Sequence, residues 1–283
     1  MGPNVLDSDD IITRYTGDGY CFPLEAMSVE QAAHYRGSLE REEQRPFRSP
    51  QEKSVFYGAP HYVLPFMNEI TRLPNVIEAV KAVLGPNLLV WEASLFIKEA
   101  TTPGFVSWHQ DLTYCGLSDY SEVTAWVALS PATPHSGCMR FSPGSHRGEI
   151  VDHRDTFNEQ NMLSRGQEIA VEVEEADAVD VVLNPGEFSL HHGHIFHSSK
   201  ANGSQDRRIG FAIRYITPRM KQVSGQKPFA QLVAGEDPMG NFLALTPPTA
   251  IMQQQDLENA WRTMRIQEPV FYEGLAESDR PAT

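Results

Sequence analysis

A mainly β chain with flanking helices, folded as a sandwich or jelly roll, is predicted by three observations. Residues 88 to about 217 break into short β-rich runs punctuated by Gly, Pro, Asn and Ser, the pattern of many strands joined by tight turns. The preceding stretch reads as helical, and one more helical run follows near the carboxy end. The length of 283 residues suits one β unit with decorations, because sandwiches and barrels often reach about 200–250 residues as one domain. The division is a helical leader of about 1–87, a core of about 88–218 and a carboxy-terminal extension of 219–283, all in a single domain.

In the leader, Ser28-Val29-Glu30-Gln31 has capping-box spacing, in which the Ser hydroxyl and the Gln amide each satisfy the other's backbone N–H. The helix it opens must end before Pro46. A second helix runs from about Asn75 to Leu84 and stops at Gly85-Pro86. Strands are predicted over residues 88–98, 106–111, 123–129, 139–142, 168–173, 179–183, 188–192 and 207–217. After Met220 come a proline-rich loop and one helix around residues 253–265. No internal repeat or low-complexity tract interrupts this order.

The balance of 23 Lys+Arg against 37 Asp+Glu, a formal net charge of −14, repels phosphate backbones and anionic membranes, so neither nucleic acid nor membrane is expected as a partner. Cys21, Cys115 and Cys138 are too few and too scattered for a disulfide framework, which points to a reducing cytoplasm. Asp7, Asp9 and Asp10 occupy the place where a signal peptide would be apolar. The apolar run at 79–84 is too short and too charged to span a bilayer. Asn202-Gly203-Ser204 matches a glycosylation sequon but reads better as a turn. Oligomeric state leaves no signature in the sequence.

The chemistry-bearing residues start at Ser107-Trp108-His109-Gln110-Asp111. On a strand, residues i and i+2 share a face, so His109 and Asp111 would stand side by side over one ion. Two imidazoles and one carboxylate leave coordination positions open, as in non-haem Fe(II) oxygenases rather than closed zinc sites. The segment from Pro185 to His197 offers four further imidazoles: His191, His192, His194 and His197. His197 is singled out by its sequel, with Ser199 two residues on, a Gly/Asn turn, and Arg208 eleven residues on. Read as successive antiparallel strands, His197 and Arg208 would face one cavity. Arg208 could then grip a carboxylate bidentately, with the Ser199 hydroxyl as a further donor. Arg207 competes for that role, but 208, 210, 212 and 214 share a face on which Gly210 and Ala212 leave room for a ligand.

The stretch from Trp108 to Asp111, the turn Ser136-Gly137-Cys138-Met139-Arg140-Phe141-Ser142-Pro143-Gly144-Ser145-His146, and His197-Ser198-Ser199 through Arg208 resemble the phytanoyl-CoA dioxygenase (PhyH) family of Fe(II)- and 2-oxoglutarate-dependent oxygenases. The resemblance covers roughly residues 88–218. It implies a double-stranded β-helix, the cupin-like form of jelly roll. Iron would sit on His109, Asp111 and His197, the distal carboxylate of 2-oxoglutarate on Arg208 and Ser199, and Trp126 against the co-substrate. A residue near Leu95 is implied as a further 2-oxoglutarate contact. The implied reaction consumes O2, hydroxylates a small molecule and releases succinate and CO2. Candidate substrate contacts are Gln110, Tyr114, Arg140 and Arg214, with Tyr57 and His61 from the leader, each of which also reads as packing or surface.

Related halogenases have a small residue in place of the ligand carboxylate, so Asp111 favours hydroxylation. Leu112-Thr113-Tyr114 departs from the ectoine hydroxylase pattern, and Pro281-Ala282-Thr283 is no peroxisomal address. Two other readings remain open. One is a non-catalytic jelly roll binding a metal and a dicarboxylate, which would release no succinate. The other is a metal-dependent hydrolase built on the His-rich segment, which would work with zinc and without oxygen. The sequence names no substrate.

Overall fold

The structure, a computed structural model, describes residues 7–163 and 165–272, apart from the side chain of Tyr114. The leader begins with α1 (Ser8–Asp18), capped by the Asp7 carboxylate and ended by Gly19 in a left-handed conformation. A short strand the helical reading missed, β1 (Tyr20–Glu25), follows. Helix α2 (Val29–Glu43) carries both hydrogen bonds of the capping box between Ser28 and Gln31. Then come α3 (Pro50–Gly58), α4 (Pro60–Val63), α5 (Pro65–Ile70) and α6 (Pro74–Leu84), each with Pro at its start, where a missing N–H costs nothing.

The β region comprises β2 (Leu88–Lys98), β3 (Val106–His109), β4 (Glu122–Ala128), β5 (Met139–Phe141), β6 (His153–Asp155), β7 (Gln167–Ile169), β8 (Val179–Asp180), β9 (Glu187–His191), β10 (His197–Ser199) and β11 (Arg208–Ile216). The extension adds β12 (Phe229–Ala234), β13 (Leu243–Ala244) and α7 (Gln254–Phe271), which runs past the predicted end at 265. The terminal Pro281-Ala282-Thr283 lies outside the described residues.

The strands form two facing sheets and a small hairpin, a jelly roll. The major sheet has the order β1-β9-β4-β11-β2-β12-β13, the minor sheet β3-β10-β5-β8, and β6 pairs with β7. Leader and extension therefore both contribute strands to the major sheet. At its centre β11 pairs antiparallel with β2 and β4, and strand alternation gives it two buried faces. Val90, Ala93, Leu95, Val123, Ala125, Val127, Ile209, Phe211, Ile213 and Tyr215 join Val55, Phe56, Tyr62, Met67 and Val80 of the helices in the main core. The opposite face carries Glu92, Ser94, Phe96, Thr124, Trp126, Arg208, Ala212 and Arg214, and these look across at the minor sheet. Among the described residues no helix is long and apolar enough to cross a membrane.

The turn reading of Asn202 holds. Its amide donates to the carbonyls of Lys98, Glu99 and Asp206, and its Oδ1 accepts from Ser204, fixing the passage into β11. The hairpin reading of that passage does not hold. β10 lies in the minor sheet and β11 in the major sheet, so His197 and Arg208 share a cavity because the sheets face each other.

Candidate metal and co-substrate site

The predicted strand through 111 stops at His109. Gln110 keeps an extended backbone (φ −120°, ψ 130°), and Asp111 opens a single 3₁₀ turn. One extended residue is enough to hold Asp111 on the side of His109. β10 pairs with β3 so that His197 stands opposite His109. His109 Nε2 lies 3.4 Å and His197 Nε2 3.6 Å from Asp111 Oδ1. His109 Nδ1 is 2.9 Å from the Ser107 carbonyl and His197 Nδ1 is 3.1 Å from that of Ile195. A carbonyl only accepts, so each Nδ1 is assigned the proton and each Nε2 presents a lone pair. The donor atoms of these three residues all lie within 4.8 Å of one another. This N, N, O set fits a divalent metal with open coordination positions, Fe(II) above all.

Burial alone pushes the Asp111 carboxyl up, but Arg214 and the neighbouring imidazoles outweigh it and hold Asp111 well below the usual carboxylate range. Arg214 Nη2 is 3.3 Å from Asp111 Oδ2, and its Nη1 donates to Glu92 Oε1 at 3.1 Å. This clamp steadies the carboxylate a metal would use. Of the other candidate imidazoles, His191 also reaches the site, with Nε2 3.7 Å from Asp111 Oδ2. His192 and His194 turn away, toward the Tyr15 and Tyr120 rings.

Beyond the triad stands the second half of the predicted site. Arg208 is only 1% exposed, its guanidinium sits 5.1 Å above the Trp126 ring, and its Nε has no hydrogen-bond partner. Among the described residues no carboxylate forms an ion pair with it. Burial lowers it to about 10, which leaves it charged at neutral pH. A buried, unpaired guanidinium is unstable without an anion, so its surroundings fit the end of a dicarboxylate. Ser199 lines the same cavity and its Oγ accepts from Lys98 Nζ at 2.7 Å. Arg207 has the opposite fate: it pairs with Glu43 and Glu99, both at 2.7 Å, on the helical side.

Two details of the sequence reading are corrected here. The space beside Gly210 belongs to Trp126 rather than to a ligand, since a Cβ there would lie 1.8 Å from the indole Cζ2. Leu95 points into the core behind the major sheet, and its neighbours Ser94 and Phe96 face the cavity, because a shift of one residue reverses the face.

A contiguous cavity of about 170 Å³ opens beside the triad, bordered by Glu92, Ser94, Phe96, Met162, Arg214 and Phe271. Arg214 was anticipated there; the others were not. Gln110 borders it too, but its amide is engaged, donating to the His194 carbonyl and accepting from Val151 N–H. Arg140 is placed elsewhere. β5 turns Met139 inward and Arg140 to the outer face, where it pairs with Glu175 and Asp180. Tyr57 and His61 lie in the helical layer, Tyr57 donating to Glu43 at 3.1 Å and His61 buried within α4. The side chain of Tyr114 lies outside the described residues.

Two facing sheets that hold two imidazoles and a carboxylate around one metal position have the architecture of the non-haem iron oxygenase class. Within it, the chain belongs to the phytanoyl-CoA dioxygenase (PhyH) family, whose model matches residues 15–210. A solved non-haem monooxygenase, ThoJ in its apo form, is 32% identical, with a TM-score of 0.83 over 92% of this chain and 97% of that one. CytC3 with Fe(II) and alpha-ketoglutarate shares the fold, at 20% identity and a TM-score of 0.64 over 86% and 98% of the two chains. A probable alpha-ketoglutarate-dependent hypophosphite dioxygenase of Stutzerimonas stutzeri is 24% identical over 157 residues, 55% of this chain and 54% of the relative. The peroxisomal phytanoyl-CoA dioxygenase of Homo sapiens is 28% identical over 150 residues, 51% and 44%. The chain thus spans about half the length of these curated relatives.

Proposed function

We propose that this protein is an Fe(II)- and 2-oxoglutarate-dependent dioxygenase, a single PhyH-like domain that hydroxylates a small molecule and releases succinate and CO2. The observation that carries the reading is the pairing, in one cavity, of an open two-His, one-carboxylate site with a buried guanidinium that no carboxylate among the described residues pairs with. His109, Asp111 and His197 would hold the metal. Arg208 and Ser199 would hold the distal carboxylate, and the Trp126 ring would form the cavity wall beneath Arg208. When bound, the iron supplies the O2 chemistry that couples decarboxylation of 2-oxoglutarate to oxidation of the substrate. The protein's share is to orient Asp111 through Arg214 and Glu92, to keep both imidazoles in the Nδ1–H tautomer, and to exclude water from a buried site. The cavity beside the triad, with its mixed polar and aromatic lining, would take a compact substrate. Cys21, Cys115 and Cys138 are free and buried, which supports a reducing compartment, and we place the protein in the cytoplasm.

The test is a screen of small molecules for stimulated succinate release under air with Fe(II). Stimulation that disappears in His197→Ala and Asp111→Gly is the expected result. Turnover that persists in Asp111→Gly, or activity with zinc in the absence of oxygen, would overturn the assignment.

A further inference from the structure

Lys98 is the least expected side chain in the core. It is 1% exposed, it stands directly across from Arg208 in the β2–β11 register, and among the described residues no carboxylate forms an ion pair with it. Its ammonium donates instead to Ser199, reaching the hydroxyl at 2.7 Å and the carbonyl at 3.2 Å, and to the Lys200 carbonyl. Two cations side by side in a desolvated pocket repel each other, and among the described residues neither has a counterion. Such an arrangement is built to be completed by an anion with more than one charge to share.

Resting on the proposed co-substrate, we propose that Lys98 is a positioning residue for 2-oxoglutarate: it fixes Ser199 as a donor and supplies a second cation behind Arg208, taking up a proton as the dianion binds. The hydroxyl geometry gives the first half. By accepting from Lys98, Ser199 Oγ leaves its own hydrogen free for the carboxylate on Arg208. The charge balance gives the second. Burial, reinforced by the Arg208 guanidinium on β11 and opposed by the Cys138 thiol, lowers Lys98 to about 7. In the free protein Lys98 is therefore largely neutral above that value. A carboxylate arriving on Arg208 restores the ammonium, with the proton drawn from solvent onto Nζ. Affinity for 2-oxoglutarate is then highest below about pH 7 and falls as the pH rises, by up to about tenfold per unit.

The experiment is calorimetric titration of metal-loaded, anaerobic protein with 2-oxoglutarate in buffers of different ionisation enthalpy. Wild type should take up a fraction of a proton per site at pH 8 and close to none at pH 6. Lys98→Met should bind at least about tenfold more weakly at pH 6 and show no linked uptake. Lys98→Arg, charged throughout, should bind tightly with no pH dependence. Wild type that binds without proton uptake at pH 8, or Lys98→Met that binds as tightly as wild type, would overturn this role and leave the proposed function standing. Wild type that does not bind 2-oxoglutarate at all would overturn both.

Discussion

Arg214 shows how one side chain can decide the worth of its neighbour. It stands between Asp111 and Glu92 and is 8% exposed, so the carboxylate proposed as a ligand is oriented before any metal arrives. Arg214→Met should weaken Fe(II) affinity by about 10–100-fold, read in a metal titration with folding checked by circular dichroism. Arg214→Lys should recover part of the loss. Unchanged metal affinity in the Met variant would show that Asp111 needs no such partner. At this scale the sequence was legible where spacing was local. His109 with Asp111, and His197 with Ser199, could be read because a single extended residue separates the members of each pair. His191, Lys98 and Glu92 could not, because their roles depend on which strand lies opposite.

At the scale of elements, β11 places every second residue on the cavity side, and its two faces make different demands. Gly210 exists for the Trp126 indole, which fills the space a side chain would take. Gly210→Val should destabilise the fold by about 1–3 kcal/mol through overpacking. Thermal denaturation should register a drop of roughly 2–4 °C per kcal/mol, along with weaker 2-oxoglutarate binding as the indole is pushed under Arg208. A full-strength variant would mean that the strand gives way cheaply. On the far side, burial pushes His61 down to about 3, below the roughly 6.5 of an unfolded histidine. Between those values the unfolded chain binds more protons, so stability is complete above about 6.5 and is lost as pH falls toward 3. His61→Leu should therefore unfold at a lower pH than wild type, and an acid transition that does not move would remove His61 from the account.

Across the whole molecule, the extension reaches back to the cavity that its Phe271 helps border. Arg165, between β7 and the loop before it, donates to the Phe271 carbonyl at 2.8 Å and pairs with Asp155 of β6. It thereby ties the end of α7 to the hairpin beside the cavity. Arg165→Ala should speed proteolysis at the end of α7 while leaving 2-oxoglutarate affinity within about twofold, since the two ends of the cavity are separately held. Equal proteolysis of variant and wild type would show that the latch carries no strain. Of the leader's helices, α2 and α6 could be foreseen, with most of the core strands, because caps, prolines and β-branched runs act over a few residues. The sheet partners of β1, β12 and β13 could not, because pairing is a contact between segments far apart in sequence.

The amino-acid sequence by itself determined the β-rich core and singled out His109, Asp111, His197 and Arg208 as candidates, since each rests on short-range spacing and strand alternation. Only the tertiary structure decided that His197 and Arg208 meet across two sheets rather than along one hairpin. It likewise sent Leu95, Arg140, Tyr57 and His61 away from the cavity, brought His191 to its wall and set Lys98 behind Ser199. The physical reason is that a strand buried on both faces reads as apolar or polar on either side, and only its packing partners say which face encloses the chemistry.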